Sequence, residues 1–142
     1  MLEYEITATL QNGGQATATA NHSEIAFDAT SGRDNVLPNP AELLLTSLAA
    51  CLLKNVQRYS EILHIPYRKA RVTIHGLRNE NPPFMSEINY HIEVDSEANE
   101  HQMNNWHKNI LKFGTITNTL VRACKINGKM TWWVDSTENN PL

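Results

Sequence analysis

The stretch Asn39–Leu63, NPAELLLTSLAACLLKNVQRYSEIL, constrains this chain more than any other. It opens as a helix should. Asn39 is a good N-cap, Pro40 suits the first helical position, and Glu42 stands where a capping-box carboxylate belongs. From Leu43 to Leu53 the only polar residues are Thr46 and Ser47. A helix facing one core shows polar residues every third or fourth position, so this one reads as apolar all round. At ~1.5 Å per residue it spans roughly 37 Å, long for a domain of 142 residues. Something must wrap it on every side, and Cys51 sits in the middle of its apolar run.

The flanking sequence supplies strands. Leu2, Tyr4, Ile6, Ala8 and Leu10 alternate with mostly polar neighbours, and Asn12-Gly13-Gly14 has the chemistry of a turn. Gln15–Ala20 reads as the returning strand and Glu24–Phe27 as a short third one. Ala29–Pro38 has no period and reads as a loop; it carries Arg33, the first Lys or Arg of the chain. Beyond the helix, Ala70–Gly76 and Ile88–Val94 alternate on either side of Asn81-Pro82-Pro83, which predicts an antiparallel pair with one wet face. Met103, Trp106, Ile110 and Phe113 mark one side of a second helix that Gly114 stops. A short third helix over Thr117–Ala123 ends at Cys124, and Gly128 turns the chain into a last strand with Met130, Trp132 and Val134 on one face. The tail Glu138–Leu142 reads as loose. The order implies an α+β protein with antiparallel sheet, one domain over residues 1–142. A single sheet face cannot cover a helix that is apolar all round, whereas a second copy of the chain can. The expectation is an obligate homodimer with both long helices in its core.

A net charge of −3 provides no basic stripe for nucleic acid. The start Met1-Leu2-Glu3-Tyr4-Glu5 is unlike a signal peptide, and the apolar run is too short for a membrane span, which needs ~20 residues. A soluble cytoplasmic protein is expected. Two cysteines without a CxxC or Cys/His spacing make neither a disulfide framework nor a zinc site, and no cofactor motif is visible. His75 and His91 read as solvated strand residues, and His101 and His107, six apart, fall on different helix faces.

Asn39-Pro40, continued through an apolar helical run to Ala49-Ala50-Cys51-Leu52, resembles the OsmC/Ohr superfamily of osmotically inducible and organic hydroperoxide resistance proteins. The element order agrees from Tyr4 to Val134. The run Thr115-Ile116-Thr117-Asn118-Thr119-Leu120 is similar to that family's second motif, Cys-Pro-Val-Ser-x-x-Leu, with its first residues changed. The resemblance implies an OsmC-like intertwined homodimer with antiparallel sheets wrapped around two long central helices and two sites at the subunit interface. It implies that Cys51 is the thiol that attacks an organic hydroperoxide in oxidative-stress defence. In active members a second cysteine resolves the sulfenic acid, and an arginine from the first hairpin, held by a glutamate after the NP proline, supports the thiolate.

This chain departs from that pattern. Its first hairpin has no Lys or Arg, Gln15 stands near the arginine's place, and Ala41 follows Pro40. Gly114 occupies the place of the resolving cysteine, or Phe113 if the register shifts by one. The nucleophile is the thiolate. An apolar helix interior disfavours that charge, and Cys51 lies too far along the helix for its dipole to help. A cation must therefore be brought to it. Arg33 on its loop and Lys54, one turn beyond Cys51, are the candidates, each with a plain alternative as a solvated or snorkelling charge. Glu42 points away from Cys51 along the helix and reads as a cap. Trp106, Phe113 and Gly114 are candidate pocket-lining residues beside the thiol, the two aromatics being equally explicable as core. Cys124 lies too far along a helix to inherit the resolving role, since a disulfide needs Cα atoms within ~7 Å. Two readings follow. One is a thiol peroxidase in which Cys51 reduces an organic hydroperoxide and an external thiol reductant resolves it. The other is a non-catalytic dimer of this fold that binds or senses a small apolar ligand, or a relic with no ligand chemistry.

Overall fold

The computed structural model describes residues 1–133; Val134, expected on the last strand, and the tail Glu138–Leu142 lie outside them. The chain forms two compact units, Met1–Leu44 and Leu45–Leu142.

The first unit is a three-stranded antiparallel sheet in the order β1 (Thr7–Leu10), β2 (Gln15–Ala20), β3 (Ser23–Asp28). Gly13 and Gly14 take φ of 104° and 96° in the first turn, and Gly14 also packs so closely on Thr30 that a Cβ there would stand 2.8 Å from its Cα. β1 begins later than its alternation suggests. Pairing starts at Thr7, opposite Thr19, and Leu2, Tyr4 and Ile6 before it are exposed, with no partner strand among the described residues. The aperiodic loop after β3 is held by carboxylates instead. Buried Asp28 accepts hydrogen bonds from the Thr30 hydroxyl (2.6 Å), the Thr30 N–H (2.9 Å) and the Asp34 N–H (3.1 Å). Those bonds, Thr30's foremost, hold its carboxyl below the usual carboxylate range.

The long helix α1 runs over Pro40–Leu63, and both capping-box bonds form: Glu42 N–H to Asn39 Oδ1 at 2.9 Å and Asn39 N–H to Glu42 Oε1 at 3.1 Å. It buries Leu48, Leu52, Asn55, Val56 and Tyr59, one stripe at i, i+4, i+7 spacing. Within one chain Leu44 near its start and Ile62 near its end remain 37% and 53% exposed.

In the second unit β4 (Tyr67–Glu80) and β5 (Pro83–Ser96) form a long antiparallel pair, irregular in register between Tyr67 and Lys69 and between Leu77 and Arg78. The irregularities let pairing continue past the ends of the clean alternation. Central β5 turns Ile88, Tyr90, Ile92 and Val94 into the core. On its other face Glu93 meets its register partner Arg71 at 3.0 Å and is drawn below the usual carboxylate range by it. The last strand, β6 (Lys125–Trp132), pairs with β5 in parallel, so this sheet is mixed rather than antiparallel. The reason is the crossover. α2 (Glu100–Lys112) and α3 (Thr115–Leu120) lie between the two strands and carry the chain back to the end where β5 began.

Gly128 lies within β6 rather than at a turn before it. Its missing side chain makes room for the Tyr90 ring on the neighbouring strand, with which a Cβ would overlap. Tyr90 is itself 5% exposed and has nowhere to retreat. Gly128→Ala is therefore expected to destabilise the fold by about 1–3 kcal/mol, the usual range for overpacking, read as a lower urea midpoint at unchanged slope.

Candidate active site

The core side of α1 is tied to α2 by two buried hydrogen bonds. Trp106 Nε1 donates to the Val56 carbonyl at 3.1 Å, and Asn55 Nδ2 donates to the Ile110 carbonyl at 3.0 Å. Met103, Trp106 and Ile110 are fully buried, as their spacing predicts, and Trp106 also packs against Tyr67 at 5.8 Å between ring centroids. Trp106 offers no exposed surface to a ligand. It holds the helices together.

Phe113 does not continue that stripe. It is the C-cap of α2, 52% exposed, and stacks on Tyr59 of α1 at 5.6 Å with Lys112 Nζ 5.2 Å from its ring centre. The next residue, Gly114, is not a left-handed stop; its φ of −86° and ψ of 117° are extended, and it caps α3. Any residue can adopt that backbone, so the glycine is explained by what faces it. A Cβ at Gly114 would lie 3.1 Å from Cys51 Sγ and 2.9 Å from Thr117 Oγ1. The structure thus brings Cys51, Gly114 and Thr117 together. Cys51 is a half-buried free thiol, and Thr117 is 4% exposed with a hydroxyl that finds no hydrogen-bond partner among the described residues.

Arg33, Lys54, Cys124 and the strand histidines have surroundings of their own. Arg33 pairs with Glu42 at 3.5 Å, both partly exposed. Lys54 is exposed, three residues beyond Cys51 on α1. Cys124 is half-buried beside the core and its Sγ lies 3.7 Å from the Leu120 carbonyl. His91 meets Thr131 Oγ1 at 2.6 Å, and His75 pairs in register with Asn89, so the two strand histidines do not face each other. Among the described residues no group of three or more His, Cys, Asp or Glu side chains could hold a metal ion. No helix among them is long and apolar enough to cross a membrane.

Thr117 also lines a half-open cleft of about 430 Å³, together with Tyr90, Leu111, Val121, Ile126 and Lys108. The Tyr90 hydroxyl meets His107 Nε2 at 2.6 Å. Burial pushes Tyr90 up to about 12 and pushes His107 below its ordinary value, so both are neutral near neutral pH and one proton bridges them. Sequence reasoning did not find this pair, because residues 17 apart on a strand and a helix leave no local pattern. Thr117 was visible in the second motif, but nothing in the sequence showed that its hydroxyl faces Cys51.

A family model described as OsmC-like protein matches residues 32–129. A protein of Mycoplasma pneumoniae named hydroperoxide reductase is 30% identical over 135 residues, which cover 91% of this chain and 96% of its own. One of the same name from Mycoplasma genitalium is 30% identical over 105 residues, 71% of this chain and 74% of its own. The crystal structure of an OsmC like protein from Mycoplasma pneumoniae superposes with a TM-score of 0.85 at 28% identity, over 92% of this chain and 97% of that one. This chain belongs to the OsmC-like protein family.

Proposed function

We propose that this protein is a thiol-dependent organic hydroperoxide reductase of the cytoplasm and that Cys51 is its peroxidatic thiol. The observation that carries the reading is a half-buried thiol on α1 faced by a residue without a side chain and by an unpartnered hydroxyl. The names of the two Mycoplasma relatives point the same way. The Cys51 thiolate attacks the terminal oxygen of ROOH. An S–O bond forms as the O–O bond breaks, sulfur gives two electrons, and the alkoxide leaves and takes up a proton as ROH. One external thiol then displaces water from the sulfenic acid to give a mixed disulfide. A second thiol releases Cys51 reduced and leaves as the small disulfide. Arg33 and Lys54 are the cations proposed to support the thiolate, and Phe113 and Gly114 the residues beside it.

The two units together form one OsmC-like domain in this reading, and the domain works as a homodimer. The exposed apolar side chains Leu44 and Ile62 near the two ends of α1 support that, since a second copy covering them would gain about 25 cal/mol per Å² of apolar surface. Sedimentation equilibrium at micromolar concentration is expected to give twice the chain mass; a monomer there would remove the shared-helix arrangement.

Consumption of cumene hydroperoxide in the presence of dithiothreitol is the direct assay. Cys51→Ser is expected to lower it by roughly a thousandfold or more, the scale on which a lost nucleophile is felt. Turnover that survives Cys51→Ser sinks the assignment. The apolar cleft lined by Leu111, Val121 and Ile126 favours a second reading, a non-catalytic protein that binds a small apolar ligand. That reading expects the Tm to rise with such a ligand in the Cys51→Ser variant as in the wild type.

The external thiol is required because Gly114 leaves Cys51 without an internal partner. The position is nevertheless well placed for one, since in a disulfide each Cβ lies roughly 3 Å from the far sulfur and the Gly114 site stands at 3.1 Å. Gly114→Cys is expected to lose two hydrogens on mild oxidation by joining Cys51. With Cys51 joined to the introduced thiol, Cys124 alone should remain free to alkylate; persistence of three free thiols by mass contradicts the geometry.

A further inference from the structure

Two threonines of α3 behave differently. The Thr119 hydroxyl turns back along the helix and donates to the Thr115 carbonyl at 2.8 Å, as threonines in helices commonly do. The Thr117 hydroxyl, two residues earlier, makes no such bond although the residue is 96% buried. A buried unpartnered hydroxyl costs about 1–3 kcal/mol, so it calls for an explanation by something that satisfies it in another state of the molecule. Its surroundings name that state. Thr117 Oγ1 and Cys51 Sγ lie 2.9 and 3.1 Å from one and the same point, the Cβ position that Gly114 leaves empty. The glycine places no side-chain carbon at that point.

We propose that the Thr117 hydroxyl is the hydrogen-bond donor to the oxygen that Cys51 takes from a hydroperoxide, and that Gly114 keeps the space for that oxygen open. The assignment rests on the peroxidase reading above and deepens it. As the S–O bond forms and the O–O bond breaks, the Thr117 O–H donates to the transferred oxygen and keeps its own proton. In the sulfenic acid the bond persists. It holds the oxidised sulfur in one orientation until an external thiol arrives, in a chain whose 114 position provides no second sulfur. Further oxidation to the sulfinic acid requires the sulfenate sulfur to attack a second peroxide, and an oxygen already held by a donor makes that sulfur the poorer nucleophile.

The test compares wild type, Thr117→Val and Thr117→Ser as full chains. Thr117→Val removes the hydroxyl at nearly equal volume. Because that hydroxyl has no partner among the described residues, the variant should melt at or above the wild-type temperature. Its rate constant for cumene hydroperoxide under single turnover should nevertheless fall about tenfold, the scale of one hydrogen bond to a charged or developing oxyanion. By intact mass, Cys51 should pass from one added oxygen to two at lower peroxide excess than in wild type. Thr117→Ser should restore both. A Thr117→Val protein with wild-type rate and wild-type oxidation pattern overturns the assignment while leaving Cys51 as the peroxidatic thiol. A wild-type protein that cumene hydroperoxide does not oxidise at all overturns both. A Thr117→Val protein that melts well below wild type shows that the hydroxyl has a structural partner, which also overturns it.

Discussion

The two buried hydrogen bonds between α1 and α2 govern the arrangement of everything around Cys51. Trp106 donates to the Val56 carbonyl within α1, and Asn55 donates to the Ile110 carbonyl in the last turn of α2, which the Gly114 N–H passes over for Leu111. Loss of either acceptor would leave a buried N–H or amide unpaired, at about 1–3 kcal/mol. The bonds also set the rotation and axial offset of α2 against α1. With those fixed, the end of α2 must arrive beside the stretch of α1 running from Cys51 to Tyr59. Phe113 then stacks on Tyr59, and the following residue faces the sulfur.

That meeting point brings together a thiol, a position without a side chain and one hydroxyl. Gly114 has ordinary extended backbone angles, so its conformational freedom is not what is needed; its lack of a Cβ is. The same logic recurs at Gly128, where the absent side chain admits the ring of Tyr90. Arg33 is engaged with Glu42, the residue that also closes the N-terminal cap of α1. Lys54 is exposed, and an exposed cation acts weakly because water and salt screen it. Tyr90, which lines the neighbouring cleft, meets His107 in a pair that is neutral on both sides.

Much of the fold was legible because its signals are local. The Asn39–Glu42 capping box, the Gly13-Gly14 turn, the Met103–Trp106–Ile110 stripe and the alternation through Ile88–Val94 each concern residues a few positions apart, and each forms as its chemistry requires. Misreadings came where the outcome depends on a partner elsewhere in the chain. Leu2, Tyr4 and Ile6 alternate like a strand, yet pairing with β2 starts only at Thr7, opposite Thr19, and leaves them exposed. Gly128 looked like a turn because the ring that needs its space lies 38 positions away in sequence, across the sheet at Tyr90. Phe113 kept the helical period but fell on the cap, where the stripe no longer faces the core.

The sequence alone determined the long apolar helix, the thiol within it, the α+β order of elements and the family resemblance, because capping, periodicity and motif spacing act over a few residues of chain. Only the tertiary structure decided that β6 runs parallel to β5, that Gly114 faces Cys51, and that Thr117 turns an unsatisfied hydroxyl toward the same point. Those outcomes depend on how α2 and α3 carry the chain across the sheet and how α2 seats on α1. Side-chain packing between distant segments sets both, and no window of neighbouring residues records it.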